Sequence, residues 1–377
     1  MNRLRVAITA LAVVLVGCEA SGPPTPPAPS HAASRSVSPT PSVGEPKPRI
    51  LPRIVLRADL SEEAARWHLV TALPLGKHQD ELGLQLPPKH TPLPIFPFTF
   101  AIAPDGSIWM GDIFKRRAAH YSKVGRFLGA VTGITFNRFT PYLQDMAFAG
   151  KRLLIMLRDH HGLNARVIRV EHDRLTRRTT LRYRGKPVLV RHLLPTTGQS
   201  IGEVEGFAGR KRLATGPNGF ARLNVPGSGM VEFLPGVPLT DGSFLDVRLD
   251  RTTGRDLDVR FTTGSDVVIR PIRIELWTGR GDRAIRLPSA TAIETAAPLP
   301  NGLAVYVEIG PVRTQDAPFG GGRWLLEVFD DGSPLVWERL PEPGLSDEST
   351  VRDITSTPDG TVYLMVPEPD AMYIYRR

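Results

Sequence analysis

Cysteine is almost missing. Of 377 residues only Cys18 is a cysteine, so no internal disulfide framework can hold the chain together. A long apolar run is also missing. Val6 to Val16 is the one candidate, and it is too short to span a bilayer comfortably. No Gly-x-Ser-x-Gly elbow, His-Glu-x-x-His helix, phosphate loop or dinucleotide fingerprint occurs. Gly320-Gly321-Gly322 has no strand-to-helix context and reads as a flexible loop. Aromatic residues make up 7%, and arginines are scattered rather than clustered with them. Nucleic-acid surfaces need that clustering or a known motif, so a nucleic-acid partner is excluded.

The N-terminus supplies what the middle lacks. Arg3 and Arg5 precede the apolar run, and the run ends in Leu15-Val16-Gly17-Cys18. That order is expected of a secretory signal peptide. The four residues resemble the lipobox of bacterial lipoproteins, which implies cleavage before Cys18 and lipidation of its thiol. Residues 19–49 are rich in Pro, Ser, Ala and Thr. Such a segment buries too little apolar surface to offset its ordering entropy, and runs such as Pro23-Pro24-Thr25-Pro26-Pro27 favour extended polyproline II. The expected organisation is a signal peptide over 1–17, a lipidated Cys and tether over 18–49, and one folded body over 50–377. The net charge is +9 and falls to about +7 once Arg3 and Arg5 leave. This suits solubility and attraction to anionic envelope polymers.

Within the folded body, Phe98 to Gly133 sets the pattern. Phe100-Ala101-Ile102-Ala103 and Ser107-Ile108-Trp109-Met110-Gly111-Asp112 flank Pro104-Asp105-Gly106, and two further short runs follow, ending in Arg126-Phe127-Leu128-Gly129-Ala130-Val131. Pro presets the first corner of a turn and Gly accepts φ > 0, so Pro-Asp-Gly between apolar runs predicts a hairpin. The unit is a four-stranded meander, the size of a propeller blade. It resembles the repeat of NHL- or TolB-like six-bladed β-propellers, which implies an all-β ring of six four-stranded blades. Blade starts are expected near Thr99, Leu143, Glu203, Phe244, Thr291 and Val351. The last unit, Asp353 to Val366, copies the first almost position for position and continues into Ala371-Met372-Tyr373-Ile374-Tyr375. It offers three strands where a blade needs four. An open edge would leave a ladder unpaired, so His68 to Leu75 is expected to complete it. A β-sandwich has similar strand content, but matching hairpins at both ends of the body fit a ring better. Ser61 caps a predicted short helix over Leu60 to Arg66.

A ring sorts its loops by face. Pro-Asp-Gly hairpins join strands one and two, so Asp105 and Asp359 are expected to be turn residues. Pro217-Asn218-Gly219 and Pro300-Asn301-Gly302 are similar to the metal-binding Pro-Asn-Gly of gluconolactonase- and regucalcin-like propellers, but their placement between strands predicts turns. The opposite face collects Asp112 with Lys115 and Arg116, then Asp159-His160-His161, then Arg313 with Gln315 and Asp316, and Glu368 with Asp370. Basic members could hold an anionic group; adjacent His160 and His161 point to opposite sides of an extended segment, so no metal site is assigned. No catalytic constellation or cofactor is expected. The expected function is a monomeric binding or scaffold module on the extracytoplasmic face of the cell membrane, held by its lipid. Its partner would be an anionic envelope polymer, a small molecule or a protein. The rival is a propeller hydrolase or lactonase acting on an extracellular substrate. If Cys18 is the anchor, Cys18→Ser moves the protein from the membrane fraction to the soluble one; retention equal to wild type would disprove it.

Overall fold

The computed structural model describes residues 54–59, 66–85, 96–97, 99–134, 142–158, 165–171, 174–183, 186–187, 190–195, 200–206, 209–216, 219–221, 223–225, 229–231, 233–250, 252–278, 284–287, 291–311, 320–330, 336–345 and 353–377. The signal peptide, Cys18, the tether and most of the predicted short helix lie outside them. Among the described residues every regular element is a strand.

Two strands, β1 (Ile54–Asp59) and β2 (His68–Pro74), precede the first blade. Blade one is β3 (Phe100–Ile102), β4 (Ile108–Asp112), β5 (Arg117–Tyr121) and β6 (Phe127–Val131). Blade two is β7 (Tyr142–Ala149), β8 (Arg152–Arg158), β9 (Ala165–Glu171) and β10 (Arg174–Thr180). A small pair, β11 (Arg182–Tyr183) with β12 (Lys186–Pro187), leads to blade three: β13 (Val190–Pro195), β14 (Ser200–Gly206), β15 (Gly209–Gly216) and β16 (Gly219–Ala221). A second pair, β17 (Leu223–Val225) with β18 (Gly229–Val231), leads to blade four: β19 (Val237–Pro238), β20 (Phe244–Leu249), β21 (Leu257–Thr262) and β22 (Val268–Thr278), with β23 (Ile285–Arg286) against β22. Blade five is β24 (Thr291–Leu299), β25 (Gly302–Ile309), β26 (Gly322–Phe329) and β27 (Val336–Arg339). Blade six is β28 (Ile354–Ser356), β29 (Val362–Pro367) and β30 (Ala371–Arg376), with β2 on its outer edge. The six sheets form a six-bladed β-propeller.

Two expected starts move. Glu203 lies in the second strand of blade three, whose first strand is Val190–Pro195. Phe244 likewise opens the second strand of blade four. Both inner strands lack a local signal in the sequence. Val190–Pro195 carries Arg191 and His192 and no Pro-Asp-Gly turn after it. The inner strand of blade four is only Val237–Pro238. Thr179 and Thr180 end the outer strand of blade two, and Arg182 and Tyr183 belong to a separate short strand.

The seam closes as expected. β2 pairs antiparallel with β30, from His68 opposite Arg376 to Pro74 opposite Ala371. Leu73 is fully buried with Leu82, Phe96, Phe100, Met110, Met365 and Met372, between blades six and one. The N-terminal segment does something more. β1 pairs parallel with β22 over six register positions, Ile54 opposite Ile272 through Asp59 opposite Trp277. It gives blade four a fourth long strand where its inner one is a stub. Because that stub is short, inner strands β13 and β24 of blades three and five meet. One apolar cluster then runs through all three blades, from Leu194 and Ile201 through Val247 and Ile274 to Ile293 and Trp324.

Truncation separates the two N-terminal strands. A chain starting at Arg53 keeps both, one starting at Arg66 loses β1, and one starting after Pro87 loses both. Melting temperature is expected to fall at each step, with aggregation at the last. Leu73→Ala alone is expected to cost about 2–5 kcal/mol in denaturant unfolding. Equal melting of the longest and shortest chains would disprove closure by β2.

Candidate functional site

The hairpin face uses its polar residues in turns. Ser107 N donates to Asp105 Oδ1 at 2.9 Å. Thr361 N donates to Asp359 Oδ1 at 3.1 Å, and Thr357 Oγ1 donates to the same oxygen at 2.6 Å. Sequence reading missed a third copy: Ser243 N donates to Asp241 Oδ1 at 2.8 Å. Each turn needs the glycine that follows its Asp, at φ 83° for Gly106, 84° for Gly242 and 91° for Gly360. Hydrogen bonds from Ser107 hold the Asp105 carboxyl below the usual range, and those from Thr357 and Thr361 do so for Asp359. Pro300-Asn301 is the two-residue link between β24 and β25, and Asn301 Oδ1 accepts from Thr240 Oγ1 at 3.1 Å. Pro217 and Asn218 lie outside the described residues, between β15 and β16, which pair directly.

On the loop face, Asp112 and Lys115 are engaged within the fold. Asp112 is fully buried. Its Oδ2 accepts from Arg117 Nε at 2.9 Å and its Oδ1 from Lys115 N at 3.0 Å. Arg117 then donates to the carbonyls of Gln79 and Glu81, both at 2.5 Å. Lys115 Nζ donates to those of His78 at 2.6 Å and Glu81 at 2.7 Å, and Tyr121 Oη donates to that of Asp80 at 2.9 Å. Three side chains of blade one thus make five hydrogen bonds to the loop that leaves the closing strand. Arg116 is exposed in the same turn at φ 55°. Glu368 is also spent internally, its Oε1 accepting from Gly344 N at 3.1 Å. Asp370 is exposed and accepts from Tyr373 Oη at 3.2 Å. Asp159, His160, His161, Arg313, Gln315 and Asp316 lie outside the described residues.

What the ring does bring together was not expected. Asp145, fully buried, sits just past a bulge in inner strand β7. Its Oδ1 accepts from Thr99 Oγ1 of blade one at 2.9 Å and from Met146 N at 2.8 Å. Its Oδ2 accepts from Leu193 N of blade three at 2.7 Å, and His192 Nδ1 lies 3.9 Å from the same oxygen. One carboxylate therefore joins the inner strands of three blades. Gln144, in the bulge itself, is 7% exposed, and its Oε1 has no hydrogen-bond partner among the described residues. At the loop-face end of β8, Arg158 Nε is buried and equally unpartnered there. Strand alternation puts Arg158 on the side of Leu154 and Met156, which pack with Val190, Leu193 and Leu213 of blade three. It therefore lies on the blade-three side of β8, the same side as Asp145, which faces Met156. The readable signal was Gln144-Asp145, two polar residues inside an apolar inner strand.

Other buried charges are internal ties. Burial opposes ionisation of Asp246, but Arg212 from blade three and Arg248 outweigh it and hold the carboxyl low. Arg323 links Tyr306 Oη at 2.6 Å to Asp353 Oδ1 at 3.1 Å, from blade five to blade six. No group of three His, Cys, Asp or Glu among the described residues has the geometry to hold a metal.

No family model and no curated protein sequence matches the chain. Solved structures with a similar course include the PQQ-bound aldose sugar dehydrogenase of Streptomyces coelicolor, at 11% identity over 84% of this chain and 99% of that one, with a TM-score of 0.43. The soluble aldose sugar dehydrogenase of Escherichia coli is 10% identical over 83% of this chain and 99% of that one, with a TM-score of 0.39. Hydrazine synthase of Kuenenia stuttgartiensis is 12% identical over 72% and 76%, with a TM-score of 0.39.

Asp105 and Asp359 give a pH test. Their folded values lie below the unfolded value of 3.8. Their stabilisation is therefore complete above that pH and lost as pH falls through the lowered folded values. Replacing both by Asn is expected to flatten the acid limb of stability below about pH 4, read by urea unfolding across pH. A variant with an unchanged acid limb would show that the turns do not depend on ionised Asp.

Proposed function

We propose that this chain is a lipid-anchored propeller on the extracytoplasmic face of the membrane, and that it binds its ligand without transforming it. The contact is the loop face above blades two and three. One observation carries the reading: of the buried polar atoms with no partner among the described residues, two, on Gln144 and Arg158, sit at the loop-face ends of the adjacent strands β7 and β8, while Asp112, Lys115 and Glu368 are spent holding loops. Buried polar groups are normally satisfied, so such groups point to something that completes them. A guanidinium and an amide at the loop-face ends of the adjacent strands β8 and β7 suit an anionic group carrying hydrogen-bonding neighbours, such as a carboxylated or phosphorylated envelope polymer. The lipobox resemblance and the Pro-rich segment before the body support the anchor.

Binding of a polyuronate, with neutral dextran as reference, tests the site by calorimetry. Charge-assisted hydrogen bonds contribute about 1.5–3 kcal/mol. Arg158→Met is therefore expected to weaken polyuronate binding about tenfold to a hundredfold. Wild-type binding should survive about 0.15 M salt, where diffuse attraction to a basic surface is screened. Unchanged affinity in Arg158→Met would overturn the site. A stoichiometric divalent ion that resists dialysis of the purified protein would favour the hydrolase or lactonase reading instead.

A further inference from the structure

Three of the large apolar side chains that stay exposed belong to one corner of the ring, where blades six and one meet on the hairpin face. They are Leu69 at 54%, Val124 at 72% and Leu128 at 48%. Leu69 is the second residue of β2, which starts on that face because it runs antiparallel to β30. Val124 lies in the turn from β5 to β6, and Leu128 is the second residue of β6. The two blades touch here. Gly125, at φ 81°, lies so close to Thr71 of β2 that a side chain on it would strike the threonine. Val70, Tyr121 and Phe127 share one apolar cluster at the same seam. The turn is fixed by its own bonds. Gly125 N donates to Ser122 O at 2.9 Å, Ser122 N to Arg126 O at 2.8 Å, and Arg126 N to Ser122 Oγ at 3.1 Å. Val124 is therefore held outward by a turn of set shape.

The charge of this corner has one sign. Lys123 and Arg126 flank Val124 and are exposed, and Arg376 is exposed opposite His68 at the start of β2. Neither β2, β30 nor the stretch from Arg117 to Val131 contains an Asp or a Glu. The carboxylates of Asp105 and Asp359 belong to the inner hairpins of the two blades, where each accepts hydrogen bonds within its own turn. Single exposed apolar residues are ordinary on a protein surface. Apolar tips set among cations, with no carboxylate between them, match an anionic lipid leaflet, which offers headgroup charge and hydrocarbon beneath it. A soluble polyanion matches the charge but gives Val124 and Leu128 nothing apolar to enter. The chain also joins the body from this face: β1 runs parallel to β22 and so begins, at Ile54, on the hairpin side.

We propose that the hairpin-face corner of blades six and one docks on the anionic surface of a membrane. Val124 and Leu128 enter the interface, while Lys123, Arg126 and Arg376 meet headgroup phosphates. The loop face, with Gln144 and Arg158, then points away from the lipid. From the proposed function this takes only that a membrane is the neighbouring surface; it requires neither a lipid on Cys18 nor the ligand site.

Site-directed fluorescence tests the contact. In the full chain with Cys18→Ser, which removes the one native cysteine, Val124→Cys is labelled with nitrobenzoxadiazole. Phe114→Cys, in the loop-face turn of blade one, is labelled as the control. Mixed phosphatidylglycerol–phosphatidylcholine vesicles are expected to raise emission at position 124 severalfold, with a blue shift, and to leave position 114 unchanged. Pure phosphatidylcholine vesicles are expected to leave both unchanged. Each Lys or Arg beside an anionic leaflet strengthens binding about fivefold, so Lys123→Glu with Arg126→Glu is expected to weaken the vesicle affinity at least about tenfold. Both side chains are exposed, and the melting temperature of that variant is expected to match wild type. No change at position 124 would overturn the proposal, as would an equal change at position 114 or an equal response to pure phosphatidylcholine. An undiminished response in the charge-reversed chain would do the same. An equal response to soluble polyuronate would make a polymer the occupant and overturn it as well. The outcome is separate from the ligand site, which Arg158→Met tests on the other face, and from the anchor, because Cys18 is replaced throughout.

Discussion

The structure depends on one constraint: a ring of antiparallel blades cannot leave a ladder open at its seam. Unpaired N–H and C=O groups on a flat edge invite pairing with another chain. β28, β29 and β30 supply three strands of blade six, and β2 supplies the fourth. The consequences spread outward from that ladder. Leu73 on β2 puts an apolar side chain between blades six and one. The chain then turns tightly, Gly76 N donating to Leu82 O and Leu82 N to Pro74 O, both at 2.8 Å. Arg117, Lys115 and Tyr121 hold this turn by its carbonyls. A buried Asp112 orients Arg117, so its charge serves closure. Removing the Asp would leave a buried guanidinium without its counter-charge, the costly half of a broken buried pair.

Blade four shows the same constraint solved differently. Its inner strand is two residues long, so it cannot fill its share of the ring near the axis. Strands β13 and β24 move together there, and the shared core of blades three to five replaces the separate interfaces found elsewhere. The outer edge gains β1. Charges then tie the arrangement across sheets: Arg212 to Asp246 between blades three and four, and Arg273 to Asp250 at 2.8 Å within blade four. The N-terminal segment therefore completes two blades that are not neighbours in the ring.

Legibility in the sequence followed the strength of local chemistry. Pro104-Asp105-Gly106 and Pro358-Asp359-Gly360 determine their own conformation through a fixed φ, a side-chain acceptor and a glycine. Blades one and six were readable for that reason, and so was the missing strand between them. Thr240-Asp241-Gly242 forms the same turn without the proline, and without it the start of blade four was misplaced. Val190–Pro195 has no turn signal, and its role is set by contacts with Asp145 and Ala147 from another blade. β1 was invisible because a parallel edge strand has no local partner and its register depends on β22, far away in sequence. The site residues divided in the same way. Asp112, Lys115 and Glu368 were recognised as polar loop residues, but their partners are backbone groups of distant loops, which no local pattern reveals.

Asp145 shows how an inner strand accommodates a buried charge. An inner strand packed on both sides is expected to carry apolar or small residues, and a carboxylate there is tolerable only if its desolvation is offset. The bulge at Gln144 makes this possible. It displaces the strand by one residue, so that Asp145 reaches Thr99 on one side and Leu193 N on the other. Bulges also interrupt β13 near His192 and β24 after Ile293, so three of the inner strands bend close to their loop-face ends. Such bulges commonly re-aim side chains near functional sites. At β7 the bend satisfies Asp145 fully and leaves Gln144 Oε1 unpaired among the described residues. The same distortion thus joins three blades through one carboxylate and leaves a buried amide oxygen without a partner among the described residues.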